Sequence, residues 1–196
     1  MTSQVDFLPC IAAHFDEHLK TIEAIRGALT EHVDRISNVL VQCLKSEGTI
    51  FWCGNGGSAS DSQHLAAELV GRFSKNRRAL RAIALNTDTS VLTCVANDFS
   101  YAEIFSRQIE ALGRRGDCLF IISTSGNSEN VILALQAARS LEMSTIALLG
   151  KGGGDAKGLA DHALVIPVDS TARIQEAHIL IGHILCDLIE QKLGVL

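Results

Sequence analysis

The sequence predicts an α/β fold: a three-layer αβα sandwich on a five-stranded parallel sheet, preceded by N-terminal helices. Three observations predict it. Short apolar, β-prone runs alternate with stretches of helical periodicity, the pattern of a parallel sheet covered on both faces. Those runs are apolar throughout rather than alternating, as strands buried on both sides are. Polar, glycine-bearing turns follow the first and third runs, and ligands of such sheets bind past the carboxyl ends of the strands.

The elements follow in order. Over residues 5–30, Phe7, Ile11, Phe15, Leu19, Ile22, Ile25 and Leu29 recur at spacings of three and four, predicting an amphipathic helix. Val33, Ile36, Val39, Leu40, Cys43 and Leu44 predict a second, stopped by Gly48. Thr49 to Cys53 reads as a buried strand. A helix is expected from about Ser58 to Phe73, then a short strand over Ala82–Leu85. Helical patterns run from Thr89 to Ala96 and from Tyr101 to Leu112, before a third strand, Cys118 to Ile122. A helix over Ser128–Leu141, a strand over Ser144–Leu149 and a glycine-rich loop over Gly150–Gly154 come next. The fifth strand spans Ala163–Ile166, ahead of Pro167, and the last helix runs from about Thr171 to Leu193. No linker or repeat interrupts the chain, so residues 1–196 read as a single domain. Residues 1–47 form its leading helices and 48–196 its core and last helix. The leading helices are extra to the sandwich, and part of their apolar surface is expected to pack on another subunit.

Composition narrows the classes. A chain of 196 residues that is 47% hydrophobic can bury a substantial core and is not disordered. No apolar run approaches the roughly 18 residues of a membrane span. Met1 to Phe7 lacks the basic flank and apolar core of a signal peptide, so a cytoplasmic protein is expected. The net charge of −5 argues against broad nucleic-acid binding, which needs a basic face. The densest basic cluster, Lys75, Arg77, Arg78 and Arg81, reads as a solvated loop. Cys10, Cys43, Cys53, Cys94, Cys118 and Cys186 form no CxxC pair and sit within apolar patterns, as buried reduced thiols do.

Four groups of residues carry chemistry. Gly54-Asn55-Gly56-Gly57-Ser58 ends the first strand and opens a helix; its glycines let backbone approach a ligand, and the helix start offers free N–H groups. A tight turn without ligand is the plain alternative. The second strand is followed by Asn86 rather than an acid, which speaks against a dinucleotide ribose. Ser123-Thr124-Ser125-Gly126-Asn127-Ser128 offers hydroxyls and N–H groups suited to a phosphate, although Ser128 also fits a helix N-cap. His64 and Glu68, four residues apart on one helix face, suit a shared metal, a polar pocket or a surface ion pair. Gln175, Glu176, His178 and His183 interrupt an otherwise apolar last helix, where polar groups need partners; a core histidine is the alternative for His178 and His183. Gln175 and His183 stand about 12 Å apart along a helix axis, so one metal reaches both only with extended side chains or help from a neighbouring subunit.

These motifs, with Ala67-Glu68-Leu69, Ala96-Asn97-Asp98-Phe99 and Arg173-Ile174-Gln175-Glu176-x-His178-Ile179-x-x-x-His183, resemble the phosphoheptose isomerase family of the SIS (sugar isomerase) domain superfamily. The resemblance spans about residues 10–192. It implies the flavodoxin-like SIS sandwich and a homotetramer with active sites between subunits. It implies one zinc ion per subunit on His64, Glu68, Gln175 and His183. Substrate contacts would come from Asn55, Gly56, Gly57, Glu68, Asn97, Asp98, Ser123, Thr124, Ser125, Ser128 and Gln175. Glu68 would be the base and His183 the acid of an aldose–ketose isomerisation of sedoheptulose 7-phosphate, serving ADP-heptose and lipopolysaccharide core synthesis. The same superfamily includes a non-enzymatic tetramer that binds the replication initiator DnaA, and SIS domains that sense sugar phosphates; retention of Glu68 with Gln175 and His183 favours the enzyme. Neither residues nor resemblance assign roles to Arg72 and His178.

Overall fold

The expected alternation of strands and helices is realised in a computed structural model that describes residues 6–194. The start of the first expected helix at residue 5, and Met1–Val5 of the N-terminal stretch, lie outside the described residues. Five strands, β1 (Ile50–Gly54), β2 (Ala82–Ala84), β3 (Cys118–Ser123), β4 (Ser144–Gly150) and β5 (His162–Ile166), form one parallel sheet in the order β2-β1-β3-β4-β5. Between them run α2 (Gly57–Val70), α3 (Thr89–Asp98), α4 (Ser106–Leu112), α5 (Glu129–Ser140) and α6 (Ala156–Leu159), flanked by α1 (Leu8–Lys45) and α7 (Thr171–Leu193).

Successive strand residues point to opposite faces, and here both faces are dry. Ile50, Trp52, Phe120, Ile122 and Leu148 pack under α1, α2 and α7. Phe51, Cys53, Leu119, Ile121 and Ala147 pack under α3, α4 and α5, with Ala156 of α6. Trp52 and Phe120 stack across neighbouring strands with ring centroids 4.4 Å apart. The continuous apolar runs of the sequence follow from this double burial.

Several expectations need correction. The two leading helices are one continuous helix of 38 residues, because Leu29 and Val33 continue a single stripe and no proline or cap intervenes at Thr30–His32. Tyr101–Leu112 is a 3₁₀ turn followed by α4, and the α2 helix stops at Val70 rather than Phe73. Cys10 and Cys94 are exposed in the chain, whereas the other four cysteines are buried as expected. Arg77 is no solvated residue; its side chain is fully buried. Arg72 does face solvent. The four-residue α6 went unread, being too short for periodicity to show.

Strand order places the site. The chain leaves β1 for β2 on one side and returns to β3 on the other, so the connections diverge between β1 and β3. A crevice opens there at the carboxyl ends of the strands. Gly54 pairs with Ile122 across this switch point, which sets the turns after β1 and β3 side by side.

Candidate active site

The turn after β1 is shaped by Gly56. Its φ of 57° is left-handed, with open space where a Cβ would stand, and it leads directly into α2. Gln175 covers this helix start: a Cβ on Gly57 would lie 2.5 Å from the Gln175 amide nitrogen. The turn after β3 is tied by its own hydroxyls. Ser123 Oγ accepts the Gly126 N–H at 3.0 Å, and Ser125 Oγ accepts that of Asn127 at 3.2 Å. Gly126, at φ 68°, lies against the Gly153 backbone, and Asn127 Oδ1 accepts the Asp155 N–H at 3.0 Å. The glycine run therefore backs this turn from the β4 side.

Asn55 and Asn130 clasp the two turns together. Each amide donates to the other's oxygen at 2.9 Å, and the Tyr101 hydroxyl adds a bond to Asn55 Oδ1 at 3.0 Å. Much of the Asn55 side chain is thus engaged within the protein. Asn130 and Tyr101 were missed in the sequence, where only the polar Asn130 on the buried face of α5 gave a signal. Ser128 occupies the N-cap position of α5, yet its side chain makes no capping bond. The capping alternative fails for this residue.

The imidazole and carboxylate groups converge on the α2–α7 side. His64 Nε2 lies 2.9 Å from His183 Nε2 and 3.3 Å from Glu68 Oε1. Among the described residues these three form the group whose ligand atoms all stand within 4.8 Å of one another. Two histidines and a carboxylate are a donor set fitting a divalent first-row metal such as zinc, with room for further ligands. The helices approach closely enough because residue 182 is glycine: a Cβ there would meet Leu65 Cδ1 at 2.6 Å. Asp61, one turn before His64 and unread in the sequence, is half-buried; burial raises its carboxyl pKa while His64 and His183 pull it down.

The remaining expected residues divide. Gln175 meets Gly57 rather than His64, Glu68 or His183. Asn97 and Asp98 are exposed at the end of α3, where the Asn97 amide donates to Asp98 Oδ1 at 2.8 Å, and no described contact joins them to the histidine cluster. His183 lines the cluster and is no core histidine. His178 is one, but an unsatisfied one: it is wholly buried, and neither ring nitrogen has a bonding partner. Burial pushes its pKa down to about 4; the Leu149 backbone, near the ring but outside hydrogen-bonding geometry, pulls weakly the other way.

Fold and site together define a sugar-isomerase-type sandwich, with glycine- and hydroxyl-bearing turns at the switch point and a His–Glu–His group where α2 meets α7. A family model described as "SIS domain" matches residues 13–150. The chain is 52% identical over 179 residues to a phosphoheptose isomerase of Helicobacter pylori, covering 91% of each protein. It is 51% identical over 192 residues to one of Chromohalobacter salexigens, covering 96% of this chain and 98% of that one. The solved phosphoheptose isomerase of Neisseria gonorrhoeae superposes with a TM-score of 0.90 at 44% identity, over 95% of this chain and all of the other. The chain belongs to the SIS domain family and, within it, to the phosphoheptose isomerase family. It is accordingly an enzyme of the aldose–ketose isomerase class.

Proposed function

We propose that the chain interconverts sedoheptulose 7-phosphate and D-glycero-D-manno-heptose 7-phosphate through an enediol. The observation that carries this reading is the convergence of Glu68 and His183, from two helices, on one partly exposed spot. In the reaction Glu68 takes a proton from C1 of the ketose while His183 gives one to O2. The enediol collapses when Glu68 returns a proton to C2 and His183 takes one from O1. A positioned base or acid typically contributes about 10²–10⁴-fold. Glu68 has two carboxylate oxygens, and Oε1 faces His64, which leaves the other for the carbon-bound proton.

Ser123, Thr124, Ser125 and Ser128 would seat the phosphate, with Asn55, Gly56, Gly57, Asn97, Asp98 and Gln175 holding the sugar. The uncommitted side chain of Ser128 supports that role. His64, Glu68 and His183 would hold one zinc ion per chain, and Gln175 would join them only by leaving Gly57. Zinc bound there would polarise the sugar carbonyl and stabilise negative charge on oxygen.

The whole chain reads as one SIS domain that assembles as a homotetramer with sites between subunits. The exposed apolar residues Leu8, Ile11, Phe15 and Leu19 on α1 support assembly. So does an apolar groove of about 500 Å³ between α1 and α7, lined by Ile22, Leu29, Leu180 and Ile184. We place the enzyme in the cytoplasm, supplying ADP-heptose and lipopolysaccharide core synthesis; no helix among the described residues is long and apolar enough to cross a membrane. The test is incubation with sedoheptulose 7-phosphate, with and without zinc, followed by NMR of the sugar. Appearance of the aldose is expected. An unchanged ketose in both arms overturns the reading, and full activity in rigorously metal-free protein removes zinc from it.

A further inference from the structure

The loop after α2 is held by a buried charge. Glu190 of α7, its side chain 1% exposed, accepts four hydrogen bonds from that loop. Its Oε1 receives the Phe73 N–H at 3.0 Å and Arg77 Nε at 2.9 Å; Oε2 receives the N–H groups of Ser74 at 3.1 Å and Lys75 at 2.9 Å. Burial alone would raise the Glu190 pKa, but the backbone donors and Arg77 reverse this and lower it. The Arg77 guanidinium then passes the restraint on. Nη1 donates to the carbonyls of Leu69, Gly71 and Arg78 at 2.8, 3.2 and 3.0 Å, and Nη2 to that of Glu68 at 2.7 Å. The Glu68 and Leu69 carbonyls are among those a helix's last turn leaves without an intrahelical partner. A guanidinium and a carboxylate bonded this fully have one geometry available.

Both ends of this network reach the site. Arg77 fixes the backbone of Glu68. Glu190 fixes the backbone of Phe73, whose ring lies against the His183 imidazole, with centroids 5.5 Å apart and planes at 31°. His64 meets the same imidazole edge-on from another side, at 5.1 Å and 62°. Among the described residues the hydrogen bond to His64 is the only one His183 makes, and the Phe73 ring packs against its other side, where neither His64 nor a metal held by the cluster restrains it. His183 and Glu190 are seven residues apart, about two turns, and so share one side of α7. The helix that presents the imidazole also anchors the ring that faces it.

We propose that Phe73 is a positioning residue for proton transfer: its ring, anchored through Glu190 and Arg77, sets the orientation of His183 relative to Glu68. The inference rests on the roles of Glu68 and His183 proposed above. It requires Phe73 to govern turnover and not substrate affinity, because among the described residues no hydrogen bond joins the loop to the turns that would hold the sugar phosphate. Phe73→Leu keeps an apolar side chain and removes the flat face; Phe73→Tyr keeps the face.

The test measures kcat, KM and Tm for both variants in the zinc-supplemented enzyme, with His183→Gln as reference. Misplacing a reacting group by about 1 Å costs up to about 10²-fold, so Phe73→Leu should lower kcat by about ten- to a hundredfold. KM should stay within about twofold and Tm near the parent's, and Phe73→Tyr should recover most of the lost turnover. A kcat for Phe73→Leu within about threefold of the parent overturns the proposal. So does a loss carried by KM, or a fall in kcat that tracks Tm and that tyrosine does not restore. If His183→Gln itself turns over normally, the assignment of His183 has failed, a different outcome from a silent Phe73 beside an inactive His183→Gln.

Discussion

Two charged clusters sit two turns apart on α7 and are built in opposite ways. Around Glu190 every oxygen is committed: three backbone N–H groups and Arg77 fill it, and both side chains are dry. Around His183 the groups face one another, 2.9 Å from His64, and stay partly open to solvent. Protein interiors leave few polar groups without partners, so a saturated cluster is a joint and an unsaturated one is a place kept for something else. Both clusters set a carboxylate against nitrogen groups. What differs is how much of their bonding the chain itself uses.

Substitutions at each cluster test this contrast. Glu68→Gln should abolish measurable isomerisation, a loss of about 10³-fold or more, while unfolding in urea stays within about 0.5 kcal/mol of the parent. Near-normal turnover by this variant would take the base role from Glu68. Glu190→Ala should act first on stability and, through the Phe73 it anchors, lower turnover as well. It strands Arg77 in the interior, and a urea titration should report a loss of about 3–5 kcal/mol. A loss under about 1 kcal/mol would mean that the joint is not what holds the loop.

His178 offers a third kind of polar group, buried and unbonded. Its folded pKa of about 4 lies below the unfolded value near 6.5, so only the unfolded chain binds this proton between those limits. Its contribution is complete above about pH 6.5 and is lost as pH falls toward 4, up to about 3 kcal/mol. His178→Phe should flatten the stability profile in that window; an unchanged slope would show that the imidazole finds a partner in solution. Asn130→Ala should open the clasp on Asn55, costing about 1–3 kcal/mol and raising KM. The smallest effect is expected at Ser128→Ala. A true N-cap loses about 0.5–2 kcal/mol on this change, whereas here melting should be unaffected while KM for the sugar phosphate rises.

The contrast also explains what could be read in the chain before its structure. Strands such as Cys118–Ile122 were legible because double burial writes itself as an unbroken apolar run. The turns after β1 and β3 were legible because glycines and hydroxyls cluster locally. His64 and Glu68 share a helix face by spacing alone. Arg77 was misread because its partner lies 113 positions away, and nothing near it distinguishes a buried guanidinium from a solvated one. Tyr101 was invisible for the same reason, and Asn130 showed only as a polar residue on a buried helix face: their meeting with Asn55 is made by the sheet. Glu190 did leave a trace, an acid beside Cys186 and Ile189 on the buried side of α7. The leading helix was cut in two because a run of polar residues resembles a boundary when no neighbour is there to cover it.

The contact of Gly182 with Leu65 has a consequence for how the enzyme can vary. The spacing of the helices that carry His64, Glu68 and His183 is set by a missing methyl, one residue from His183 on one helix and next to His64 on the other. An alanine at 182 would act as a shim, prising the helices apart at the very place where their spacing matters. Trimming Leu65 in the same chain would let them settle again. The separation of Glu68 and His183 is therefore adjustable in small steps, from a spot that belongs to neither side chain.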